Sequence, residues 1–163
     1  MEKAKQLQTK EGIERLEKEL YERENVTRPE IAEKIKEARS QGDLSENAEY
    51  DAARDAQREN ETRINQLKEI LANSEIVDVN DYNEDEVGLG KTILIKNCED
   101  GKERTVKMVG ATDADIYQNK ISNECPVGMA IFKRKVGEIV DVNLPNGNVV
   151  KYEILSIEKT EEE

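Results

Sequence analysis

Two runs of helical periodicity meet at one glycine, and their apolar positions mirror each other about it. Before Gly42, Ile13, Leu16 and Leu20 recur at i, i+3, i+7, and Ile31, Ile35 and Ala38 at i, i+4, i+7. Each set is one stripe on a helix. After Gly42, Ala52, Ala53 and Ala56 make a thin seam, and Ile64, Leu67 and Leu71 a thicker one. A chain folded back at Gly42 sets Ile13 opposite Leu71, Leu16 opposite Leu67 and Leu20 near Ile64, while Ile31 and Ile35 meet the alanines. An antiparallel helical hairpin satisfies that symmetry. With arms of about 30 residues and roughly 1.5 Å of rise per residue, it would be on the order of 45 Å long.

Local signals agree. Thr9 can cap a helix starting near Lys10. Thr27-Arg28-Pro29-Glu30 is a second start signal, with proline in the first turn and an acid at the positive end of the dipole, so a break or kink is expected near Val26 to Arg28. The second arm resumes from about Ser45. Composition suits such an element. Charged residues are 38% and hydrophobic residues 36% of the chain, which favours charged helices with a narrow apolar seam over one large core.

After Gly90 the period changes to two. Thr92–Ile95, Thr105–Val109, Ile139–Val142 and Val149–Leu155 read as strands rich in β-branched residues. Pro145-Asn146-Gly147-Asn148 marks a hairpin turn, because Asn-Gly tolerates positive φ. Pro126 to Arg134 reads as a short helix, and Ile76–Val79 as a further short strand. The expected class is α+β. Residues 1–76 form the coiled-coil hairpin, 77–86 a polar acidic linker, 87–158 a mostly antiparallel sheet domain with one short helix, and 159–163 an acidic tail.

Several function classes are excluded. There is no histidine, which removes Ser-His and Cys-His nucleophile pairs and His-ligated zinc. Cys98 and Cys125 lack metal-ligand spacing and read as free thiols in a reducing cytoplasm. The net charge of -12 argues against broad phosphate-backbone binding. No run approaches a membrane span, and Met1 to Gln6 has no apolar core of a signal peptide.

The chemistry-bearing residues lie just beyond the glycine. In Gln41-Gly42-Asp43-Leu44-Ser45-Glu46-Asn47-Ala48-Glu49-Tyr50, Asp43 and Glu46 have capping-box spacing. Two exposed acids at i, i+3 can equally share a hard divalent cation, provided a partner supplies the remaining ligands. Asn47 and Tyr50 are spaced to orient a carboxylate or a water, and Tyr50 can instead pack against the first arm. Arg39 and Arg54 flank the turn and can meet phosphates or pair with neighbouring acids.

Gly42 to Tyr50, with Ala52-Ala53-Arg54 and Gln57, resembles the tip signature of the bacterial Gre transcript cleavage factors. Arg28-Pro29-Glu30-Ile31, Glu37-Ala38-Arg39, Ile76-Val77-Asp78, Val109-Gly110, Asp113-Ala114-Asp115, Gln118-Asn119, Ile121-Ser122 and Cys125-Pro126 extend the likeness over nearly the whole chain. The resemblance implies an FKBP-like C-terminal domain that docks on bacterial RNA polymerase at the secondary channel, and a coiled coil that enters that channel. It implies that Asp43 and Glu46 assist the polymerase active site by sharing its second Mg2+, which the isolated chain does not hold. The nascent RNA 3′ end, in an elongation complex with DNA, would then be cut by the polymerase's own activity. The chain is accordingly expected to be a cytoplasmic, monomeric accessory factor, not an enzyme. Ile121, Ser122 and Pro126 match the docking loop, although Ile121 also reads as core. The family usually has serine at Cys125 and often glycine-lysine near Lys133-Arg134. With Phe132 the lone phenylalanine and no tryptophan, an aromatic proline-isomerase pocket is not expected. Rival readings are a channel-binding inhibitor, which would not need the acid pair, a coiled-coil adaptor or chaperone, whose tip should be apolar or variable, and an autonomous nuclease, which would need more metal ligands.

Overall fold

The computed structural model describes residues 5–42 and 47–160, which form two units. One is the helical stretch Ile13–Asn73. The other combines the residues up to Gly12 with those from Ser74 onward.

Helix α1 (Lys10–Glu22), most of which belongs to the helical unit, opens with the Gly12 N–H donating to Thr9 Oγ1 at 3.1 Å. The break expected near Val26 is a wide π-helical turn, Arg23–Thr27, from which the chain runs directly into α2 (Arg28–Ser40), with Pro29 in its first turn. Gly42 follows at φ 109°, a conformation that costs a residue with a Cβ. The return arm is one helix, α3 (Ala48–Ala72).

The arms pair largely as the mirrored stripes require. Ile13, Leu16 and Leu67 are buried together with Leu20, Ile70 and Leu71 around them. Ile31, Ile35 and Ala53 form a second cluster with Tyr50 and Ala56, while Ala52 is exposed. Each buried methylene contributes about 0.8 kcal/mol, so an alanine in place of a leucine forgoes roughly 2 kcal/mol. The half nearer Gly42 is therefore held less by burial than the half nearer the ends.

In the second unit, β3 (Lys91–Asn97), β4 (Glu103–Met108), β5 (Lys120–Ile121), β6 (Ile139–Asn143) and β7 (Val149–Lys159) form one sheet in the order β5-β4-β3-β7-β6. All neighbours are antiparallel except β4 and β5. Alternation puts Ile93, Ile95, Val106, Met108, Val140, Val142 and Ile154 on one face, where Ile131 of α4 (Pro126–Ile131) covers them. The α+β expectation holds.

Two boundaries differ from the expected ones. Gln6–Gln8 is a strand, β1, paired in parallel with β2 (Ser74–Ile76), so these residues belong to the sheet unit and not to the hairpin. Gln8 is buried there and its Oε1 accepts from Thr112 Oγ1 at 3.2 Å. Residues 77–86 are no free linker. Val77 and Tyr82 pack on the sheet core, Val79–Asp81 is a 3-10 turn, and Tyr82 meets Phe132 edge-on at 5.8 Å. The segment is anchored by Lys91, 1% exposed, whose Nζ donates to the carbonyls of Asn83 and Glu86. Burial pushes this amine below the ordinary lysine range, against the nearby Glu86 and Asp85 carboxylates.

Candidate functional site

The hairpin turn is shaped by Asn47. Its Oδ1 accepts from the Tyr50 N–H at 3.1 Å, capping α3, and its Nδ2 donates to the Ala38 carbonyl at 2.7 Å. One amide thus satisfies an orphan donor at the start of α3 and gives the Ala38 carbonyl, which also accepts from the Gln41 N–H at 3.3 Å, a second donor. The N-cap of α3 is Asn47. Asp43 and Glu46 lie outside the described residues. Among those described, no three His, Cys, Asp or Glu side chains gather into a group able to hold a metal ion.

Tyr50 packs on Ile31 and Ile35, the structural alternative, and the Arg39 guanidinium stands 6.0 Å from its ring centroid. Arg54 Nη1 donates to Gln57 Oε1 at 2.9 Å. Among the described residues neither arginine has an ion pair, and Arg39 is exposed.

Between the two apolar clusters lies a polar layer that sequence reasoning missed. Glu19 takes both Arg63 donors at 3.0 Å, and Glu61 takes Arg28 at 2.8 and 2.9 Å. The hydrogen bonds from these arginines hold both carboxyls below the usual range. Asn60, 3% exposed, lies between them against Arg23.

On the sheet unit, a cleft of about 290 Å³ is lined by Ile116, Ile121, Pro126, Val127 and Leu144, with Arg104 and Lys120 also contributing. Beside it Ile116 is 73% and Tyr117 96% exposed. Ile121 and Ser122, expected to dock a partner, are buried. Ile121 is core, and the Ser122 hydroxyl accepts from the Glu124 N–H at 3.2 Å. Pro126 is exposed. Ile116, Tyr117 and Pro126 are exposed apolar groups here. Neither Ile116 nor Tyr117 belongs to an alternating strand pattern, so periodicity could not single them out.

Cys125 caps α4. Its Sγ accepts from the Gly128 N–H at 3.3 Å and contacts the Ser122 carbonyl at 3.2 Å as donor. Sulfur is a weak acceptor. Cys125→Ser should therefore stabilise the chain by about 0.5–1 kcal/mol, measured by urea denaturation. No gain would mean that the thiol already caps as well as a hydroxyl.

Two family models match this chain: "Transcription elongation factor, N-terminal" over residues 6–76, and "Transcription elongation factor, GreA/GreB, C-term" over residues 82–159. The transcription elongation factor GreA of Lachnoclostridium phytofermentans is 43% identical over 160 residues, 98% of this chain and 99% of that protein. That of Clostridium botulinum (strain Langeland) is 46% identical over 158 residues, 97% of this chain and 98% of that protein. Among solved structures, the GreA factor homolog 1 (Gfh1) protein of Thermus thermophilus is 24% identical and matches 94% of this chain and 98% of that one at a TM-score of 0.45.

Proposed function

Since the chain belongs to the GreA/GreB family of transcription elongation factors, we propose that it binds bacterial RNA polymerase at the secondary channel and stimulates the polymerase's own cleavage of the RNA 3′ end in backtracked complexes. The observation that carries this reading is the intact Gly42-Asp43-Leu44-Ser45-Glu46-Asn47 run within a chain that both family models match.

The sheet unit docks through Ile116, Tyr117 and Pro126 around the apolar cleft. The hairpin enters the channel, and its alanine seam, Ala53 and Ala56 against Ile31 and Ile35, keeps that half narrow. Asn47 joins the ends of α2 and α3 and so ties the two arms together. Asp43 and Glu46 lend negative charge to a Mg2+ that the polymerase holds with them, and Arg39 and Arg54 face the phosphates of the extruded RNA. When bound, that ion supplies stabilisation of the attacking and leaving oxygens. The factor works as a monomer in the cytoplasm, where the polymerase is, and makes or breaks no bond itself. No helix of the described residues is long and apolar enough to cross a membrane.

A transcript-cleavage assay on halted polymerase tests the proposal. Added chain should shorten the RNA from its 3′ end and restart elongation, while chain, RNA and Mg2+ without polymerase should yield no cutting. Binding without shortening would turn the reading into that of an inhibitor. Cutting by the repurified chain alone would overturn the accessory role.

A further inference from the structure

The polar layer in the hairpin sits where, among its described residues, α-helical geometry gives way to a π-turn. A π-turn closes its ring from residue i to i+5, where an α-turn closes it to i+4. It takes in one extra residue, so everything after it is turned by about 100° and shifted by about 1.5 Å relative to an uninterrupted α-helix. Which face α2 offers to α3 is thus decided at Arg23–Thr27.

Such a turn is seldom stable on its own and needs outside partners. Here the Arg23 carbonyl takes two donors: the Arg28 N–H, which closes the wide ring, and Asn60 Nδ2 from the opposite arm at 3.1 Å. Asn60 Oδ1 in turn accepts from Arg23 Nη1 at 3.1 Å. Both polar ends of a side chain that is 3% exposed are therefore spent on one residue of the π-turn. Arg28, the first residue after the turn, is held to α3 by its fork on Glu61. A buried polar group in a helical seam lowers stability relative to an apolar one and specifies register in exchange.

We propose that Asn60 is a positioning residue for transcript cleavage: by holding the Arg23 carbonyl it keeps the turn π-helical and sets the rotational phase in which α2 carries the chain to Gly42. The inference rests on the cleavage-factor reading above. Loss of the Asn60 donor would let the turn relax toward α-geometry, carry Ile31 and Ile35 out of the seam and re-aim the residues that follow Ser40.

Two variants test it. Asn60→Asp keeps the acceptor for Arg23 and removes the donor to the carbonyl; Asn60→Leu replaces both with apolar bulk. Spin labels at the exposed Lys36 on α2 and Arg58 on α3 should show a displaced or second distance in both variants. A control pair at Glu17 and Lys68 should not move. In the cleavage assay the maximal stimulated rate should fall about tenfold, with the factor concentration at half-effect unchanged. An unmoved Lys36–Arg58 distance overturns the proposal, as does a loss of activity confined to half-saturation. If the unmodified chain fails to stimulate cleavage while the label distances shift, the cleavage-factor reading falls and the phase assignment stands.

Discussion

Asp43→Asn should leave a chain that folds and binds polymerase normally but stimulates cleavage about 10–100-fold less, the range in which an altered metal environment usually falls. The separation of effects follows from Asn47. Because Asn47 caps α3 and bridges to Ala38, substitution at Asp43 takes no cap from that helix. What it removes is one negative charge, at a position where asparagine keeps size and hydrogen-bonding capacity. Circular dichroism, thermal melting and a polymerase-binding titration measure the first half, and cleavage of halted complexes the second. Undiminished cleavage would take Asp43 out of the mechanism. A fall in binding equal to the fall in cleavage would make it a docking residue.

The second large effect is expected in the sheet unit. A Cβ at Gly128 would lie 1.8 Å from the Ser122 carbonyl oxygen and 2.8 Å from its carbon. Both are backbone atoms of the turn that carries Cys125 and starts α4, so no flexible side chain can yield. Gly128→Ala should therefore destabilise the unit by about 3 kcal/mol or more and push α4 off the core it covers at Ile131. Denaturant unfolding measures the loss. Since Pro126 and Val127 line the apolar cleft, polymerase affinity should fall with it even at temperatures where the variant stays folded. A neutral substitution would mean that the Ser122–Cys125 turn can shift without consequence.

The hairpin was legible because its signals are local or symmetric. Stripes of Ile and Leu, Pro29 after Thr27, and Gly42 each act within a few residues, and the mirror relation needed only counting. The strands were legible for the same reason. Long-range pairing was not. Gln6–Gln8 has no strand-forming composition, and its partner lies at Ser74–Ile76. The acidic stretch before Glu86 reads as a linker because composition does not reveal that Lys91 is aimed inward at two of its carbonyls. Asn60 and Arg23 look like surface residues in a charged helix, and only the wide turn gives them a reason to meet. At the turn, spacing favoured Asp43 and Glu46 as a capping pair, whereas the cap of α3 fell to the next polar residue, Asn47, which could also reach Ala38. Resemblance points to Ile121 and Ser122 as docking groups and periodicity to Ile121 as core; both side chains are buried.

The pairing of β1 with β2 ties the two ends of a long excursion together. Gln8 and Ile76 are register partners, so the chain leaves the sheet unit and comes back to it at neighbouring points, and everything from Ile13 to Asn73 is a detour between them. An excursion rooted in that way is a cassette. Matched additions or deletions in its outgoing and returning limbs can alter reach while the root keeps its contacts, and descendants of one ancestral scaffold can trade such cassettes without having to reinvent the body that bears them.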